Sequence, residues 1–185
     1  MGSSWKVWLV LTLLLVFISA GCVTEKKHFH LPYPDENAER VDFQPGSEPY
    51  GLGGIPWGTD ISTLQGMEHY RTDTSYGGIE FYLRKGEALR IGGETFQNVQ
   101  YGFWGGKFYV GMIKTDGVAG WNALKKAILK HYGEGAKAFK NREEYLWTGE
   151  DVIIALRYDE DVKMGLFYIR SESIRSQMIL KKKEL

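Results

Sequence analysis

Few side chains in this 185-residue chain have types and spacings that could do chemistry. His28-x-His30 could bring two imidazoles to one metal ion, but no third or fourth ligand accompanies them. The other two histidines, His69 and His131, stand apart, and no Gly-x-Ser-x-Gly elbow offers either of them a nucleophile. Acidic groups at Glu143-Glu144, Glu150-Asp151 and Asp159-Glu160-Asp161 could supply oxygen ligands for calcium or a carboxylate pair for glycoside hydrolysis. Adjacent acids at a hairpin tip more often simply stay hydrated. The glycine-rich pieces 51–54, 77–78, 92–93 and 105–106 lack the Lys-Ser/Thr of a phosphate-binding loop and read as turns. We assign no catalytic residue, no metal site and no cofactor from these patterns.

Charge and cysteine content narrow the field further. Lys and Arg number 23, as do Asp and Glu, so the basic footprint that neutralises phosphates is missing and nucleic acid is not an expected partner. One cysteine allows neither an intrachain disulfide nor a zinc-ribbon site. Aromatic residues reach 14%. Most are expected in the core, but Trp57, Trp104 and Tyr109 fall in a Gly/Pro-bounded turn or on the far face of a predicted hairpin. There they could form a flat surface for a glycan or a partner protein. Lys181-Lys182-Lys183 reads as a solvated end.

The elements that would carry these residues begin with an address label. Lys6 precedes the apolar run 7–18, which is about 18 Å long as a helix, too short for a ~30 Å hydrocarbon core and suited to a signal-peptide h-region. Ile18-Ser19-Ala20-Gly21-Cys22 follows and resembles the lipobox of bacterial lipoprotein precursors, with Ser19 where leucine is usual. The resemblance implies cleavage after Gly21 and a diacylglyceryl thioether and acylated amine on Cys22, with acyl chains such as palmitate as the only covalent group. Two or three such chains exceed the threshold for stable anchoring. With Val23 after the cysteine in place of aspartate, the enteric sorting rule implies a periplasm-facing protein on the outer membrane.

Residues 22–50 are expected to be a tether, rich in proline and without apolar period. Residues 51–185 form the expected single domain, whose opening 54–66 loosely looks like stretches in uncharacterised bacterial periplasmic proteins. Thr59 is expected to cap a short helix that ends at Gly66. Gly105-Gly106 between apolar runs predicts a hairpin in which Trp104 faces Lys107, Phe103 faces Phe108, Tyr101 faces Val110 and Val99 faces Met112. Asp116 can cap a helix whose Trp121, Leu124, Ile128, Leu129 and Tyr132 make one stripe before Gly133. Strands are predicted at 78–84, 89–91, 144–148, 152–158 and 162–170, and a short helix at 172–181 behind Ser171 turns Ile174, Met178 and Ile179 inward. The fold class is α+β, an antiparallel sheet of hairpins with one main helix packed on it. The expected function is a non-enzymatic, membrane-anchored envelope module that binds or scaffolds a protein or glycan, the alternative being a cell-wall or glycan hydrolase with a carboxylate pair.

Overall fold

The computed structural model describes residues 41–74, 78–138 and 142–183. The signal segment, Cys22, His28 and His30 lie outside the described residues. A small hairpin, β1 (Gly51–Leu52) and β2 (Ile55–Pro56), leads into a 3-10 turn at Ile61–Thr63. Then come β3 (Met67–Asp73), β4 (Ile79–Arg84), β5 (Leu89–Ile91), β6 (Glu94–Phe96), β7 (Gln100–Trp104) and β8 (Lys107–Asp116). Helix α1 (Gly117–Tyr132) precedes β9 (Ala136–Lys137), β10 (Glu144–Thr148), β11 (Val152–Asp159), β12 (Met164–Ser171) and helix α2 (Glu172–Lys183). Eight strands make one antiparallel sheet in the order β3-β4-β7-β8-β12-β11-β10-β9, while β5 and β6 pair separately. The architecture is a β-rich α+β fold built on this sheet, with two helices.

Helix α1 forms where the apolar stripe repeats at helical spacing. Trp121, Leu124, Ala127, Ile128 and Tyr132 are buried, and they share one core with Tyr101, Phe103, Phe108, Ile113, Phe167 and Ile169 of the sheet. Each large side chain in that interface contributes roughly 1.5–3 kcal/mol relative to exposure. Gly133 ends the helix with φ 86° and donates its N–H to Leu129 O. Asp116 occupies the N-cap position, but its side chain makes no capping bond.

The Gly105-Gly106 turn is present, with φ 55° and 78°, the left-handed pair that a two-residue hairpin turn requires. Its register follows expectation only through Phe103–Phe108. A bulge then places Tyr109 and Val110 against Gly102, so that Tyr101 faces Gly111 and Gln100 faces Met112. Val110, Phe81 and Ile79 fill the space over Gly102, where an added Cβ would stand 2.5 Å from Val110 Cγ1. Gly102 is thus covered by aliphatic and phenyl packing.

At the 3-10 turn the cap is Asp60, which accepts from the Ser62 N–H at 2.9 Å, while Thr59 donates its hydroxyl to Pro56 O. The turn is a single 3-10 segment of three residues, shorter than the expected helix. Helix α2 begins after Ser171 as expected, with Ile174 and Met178 buried; Ile179 is only half-buried.

The tether expectation fails over its last ten residues. Val41 bridges in parallel to Trp147 and accepts the Thr148 N–H at 3.1 Å, and Phe43 meets Tyr132 edge-on at 5.9 Å. Glu48 Oε1 accepts from the Asp151 N–H at 3.3 Å. These anchors are spaced irregularly along the chain, so they produce no sequence period, yet each finds a partner on β10, α1 or the turn before β11.

Candidate functional site

The three aromatic residues proposed as a surface do not converge. Trp57 stacks on Phe108 at 4.9 Å and donates its indole N–H to Pro49 O at 3.2 Å, on the α1 side of the sheet. Trp104, one residue after Phe103 in β7, points to the opposite side by strand alternation, where the Lys181 ammonium lies 5.7 Å from its ring. Tyr109 is 2% exposed and has no ring surface to offer. Burial pushes its hydroxyl pKa up, as does the neighbouring Tyr168, while Arg170 opposes them. Tyr109 lies on the far face as expected, but it is buried there beside Tyr168 and Arg170 of β12 and Glu172 and Arg175 of α2.

Of the carboxylate groups, Glu143 shares one cleft with Asp159, Glu160 and Asp161, alongside Arg142 and Arg157. Glu143 accepts from the Trp121 indole at 2.6 Å and pairs with Lys125, both on α1. Burial works against its ionised form, but those bonds outweigh it and its pKa is lowered. Glu144 faces Arg157 across β10 and β11 and is 2% exposed. Burial raises its pKa against the pull of Arg157 and Arg142. Pairs pushed apart in this way can divide acid and base roles. Here Glu143, just before β10, is held by Trp121 and Lys125 of α1, while Glu144 is buried near Arg157 and Arg142, so the two carboxylates have separate surroundings. Asp159 accepts the N–H groups of Asp161 at 3.1 Å and Val162 at 3.3 Å, a local turn beside a cleft of about 320 Å³. His69 and His131 are exposed on separate elements, β3 and α1. Among the described residues no three His, Cys, Asp or Glu side chains are placed to hold a metal ion, and no helix is long and apolar enough to cross a membrane.

One polar cluster is built differently. Tyr101 sits on β7 with its ring in the core, Arg84 ends β4, and Glu87 occupies the turn that follows, its N–H bonded to Arg84 O at 3.2 Å. Tyr101 donates its hydroxyl to Glu87 Oε1 at 2.6 Å. Arg84 Nη1 donates to the same oxygen at 3.3 Å and to Gly53 O at 3.1 Å, and its guanidinium lies 5.5 Å from the Tyr101 ring centre. Burial, then the bond to Glu87 and its charge, push the Tyr101 hydroxyl pKa well up, so the tyrosine stays a donor. Gly53 is required here, because a Cβ would stand 2.1 Å from the Tyr101 oxygen and 3.0 Å from Glu87 Oε1.

The other carboxylate oxygen, Glu87 Oε2, is buried and has no hydrogen-bond partner. An acceptor left unmet in this way costs about 1–3 kcal/mol. Glu87 and Arg84 line a cleft of about 300 Å³ whose other polar residues, Gln97 and Asn98, are exposed. Asn98 holds φ 56°, a left-handed conformation at the entry to β7. The β1–β2 turn forms a second, more apolar hollow of about 290 Å³, with Tyr50 87% exposed at its mouth.

Sequence reasoning treated Gly53 as a plain turn and Tyr101 as plain core. Arg84 and Glu87 attracted no notice, and the only local signal was a charged pair three residues apart around a glycine. The chain matches no family model, and neither the curated proteins nor the solved structures contain a match to it.

Proposed function

We propose that the protein is a lipid-anchored component of the bacterial cell envelope, facing the periplasm from the outer membrane, that binds a partner and does not transform a substrate. The anchor rests on Ile18-Ser19-Ala20-Gly21-Cys22, where the only cysteine ends an apolar run of signal-peptide length. The observation that carries the binding reading is the unmet oxygen of Glu87. A carboxylate braced by Tyr101 and Arg84 is rigid, lies beside a cleft, and keeps one acceptor unused. Pre-organised groups of this kind suit recognition. The carboxylate-pair hydrolase is the second reading: Glu143 lines one cleft with Asp159, Glu160 and Asp161, but it is already bonded to Trp121 and Lys125, and Asp159 closes its own turn.

The test uses the full-length chain in its native envelope. Labelled palmitate should enter the wild-type protein and not the Cys22→Ser variant, and the wild type alone should sediment with membranes. Detergent extraction and affinity capture, read by mass spectrometry against an empty-tag control, should then recover a reproducible envelope component. Palmitate labelling that persists in Cys22→Ser refutes the anchor. Capture of nothing beyond the control refutes the binding role.

A further inference from the structure

We infer that the cleft beside Glu87 and Arg84 takes one residue of an extended peptide, whose backbone N–H meets Glu87 Oε2 and whose backbone carbonyl, pointing the same way, meets Arg84. This rests on the binding reading above and names its ligand. Three features select the chemistry. The unmet atom is an acceptor, so the ligand must donate to it. A cationic donor is disfavoured, because Arg84 already stands 3.3 Å from the same carboxylate and would repel it. Arg84 uses Nη1 for Gly53 and Glu87, lines the cleft and has a side chain 28% exposed, so it can donate further N–H groups to an acceptor there.

A ligand that donates and accepts side by side, without charge, is one residue of an extended peptide, whose N–H and C=O point the same way, or a hydroxyl. The walls decide between them. No aromatic ring lines the cleft, so a sugar has nothing to stack on, whereas Leu83 and Ala88 offer aliphatic surface for peptide side chains. Glu87 Oε2 is buried in the free protein, so a donor that meets it must displace part of the cleft lining, to which the exposed Gln97 and Asn98 belong.

The full chain in detergent, labelled with ¹⁵N, tests this by titration with acetyl-Ala-Ala-Ala-amide, maltose and putrescine. The tripeptide should shift the amide signals of residues 84–88 and 97–99 at millimolar concentration, at least tenfold below any effect of the other two probes. In Glu87→Gln, Tyr101 and Arg84 still need an acceptor at the Oε1 position, so the new NH₂ falls where Oε2 was and acceptor becomes donor. Tripeptide affinity should drop about tenfold to a hundredfold, the effect of losing one hydrogen bond to a charged group. Ala88→Trp, which fills the cleft without touching the cluster, should abolish the shifts if Glu87→Gln proves unstable. Equal tripeptide binding by both variants, stronger binding of maltose or putrescine, or no shift at these residues would each overturn the inference. Should envelope capture persist in Glu87→Gln while the tripeptide fails to bind wild type, the site assignment falls and the binding role stands.

Discussion

Replacing Asp151 by alanine should loosen helix α2 specifically, and the size of the effect follows from three N–H groups. The first residues of a helix leave their N–H groups unpaired unless something outside the helix accepts them. In α2 the Glu172 N–H goes to Asp151 O at 2.8 Å, the Ser173 N–H to Asp151 Oδ1 at 2.6 Å, and the Ile174 N–H to Ser171 Oγ at 3.3 Å. The Ser171 hydroxyl is itself held by Asp151 Oδ2 at 2.9 Å. Residue 151, twenty positions upstream, thus serves two of the three and orients the third. Alanine keeps the carbonyl bond and removes the carboxylate, which costs about 1–2 kcal/mol as a cap and adds the loss of a negative charge at the positive helix end, about 0.3–1 kcal/mol. Ser173 is exposed and water can replace part of the lost bonding, so the net is about 1.5–2 kcal/mol. In a domain of this size that lowers the melting temperature by roughly 3–8 °C.

Thermal unfolding followed by circular dichroism measures the change. Asp151→Asn, which keeps an acceptor for the Ser173 N–H, should lose less than half as much. The Asp151→Ala/Ser171→Ala double variant should lose less than the sum of its parts, because the two side chains act as one cap. A melting temperature within 1 °C of wild type for Asp151→Ala, or equal losses for Asn and Ala, would refute the reasoning.

Gly92→Ala should be among the most damaging single-methyl additions, because φ is 59° and the new Cβ would stand 2.2 Å from the Ala127 carbonyl oxygen of α1. Strain and clash together should cost at least 2 kcal/mol in urea unfolding, and the β5–β6 hairpin should lose protection in hydrogen exchange first. Asp60 should titrate near pH 2, lowered from 3.8 chiefly by its two bonds from Ser62, with Lys107 adding to them. Its ionised form favours the folded state, so that contribution is complete above pH 3.8 and disappears as pH falls through about 2. Carboxyl NMR should show the midpoint rising toward 3.8 in Ser62→Ala; an unchanged midpoint would contradict the assigned cause.

Legibility varied along the chain with how much each element relies on local rules. Helix α1 and the Gly105-Gly106 turn were readable because a helical stripe and a pair of left-handed positions are local requirements that few residues meet. Strand β3 escaped notice, since Met67-Glu68-His69-Tyr70-Arg71-Thr72-Asp73 lies at the sheet edge, largely exposed, with a bulge between His69 and Arg71 that breaks alternation. The bulge at Tyr109 was invisible for another reason. Pairing Tyr101 with Val110 or with Gly111 satisfies the same two strands, and the choice is made by Leu52, which lies over Gly111 from another part of the chain. The candidate site had the least local signature of all. Gly53, Arg84, Glu87 and Tyr101 come from a hairpin turn, a strand end, a loop and a strand interior, and only the tertiary fold brings them within hydrogen-bond distance.

The strap at 41–50 gives the molecule a load path. If the chain is held from its N-terminal side while the domain is pulled away, tension in the described residues enters at Val41, whose carbonyl takes the Thr148 N–H. It then passes along the strap to Glu48, bonded to the Asp151 N–H. Asp151 is also the residue whose carboxylate holds α2. Strap and terminal helix therefore share one fastening point at Asp151, and a force peeling the strap from the sheet would first draw on Phe43, packed against Tyr132 of α1, and then on the clasp of α2.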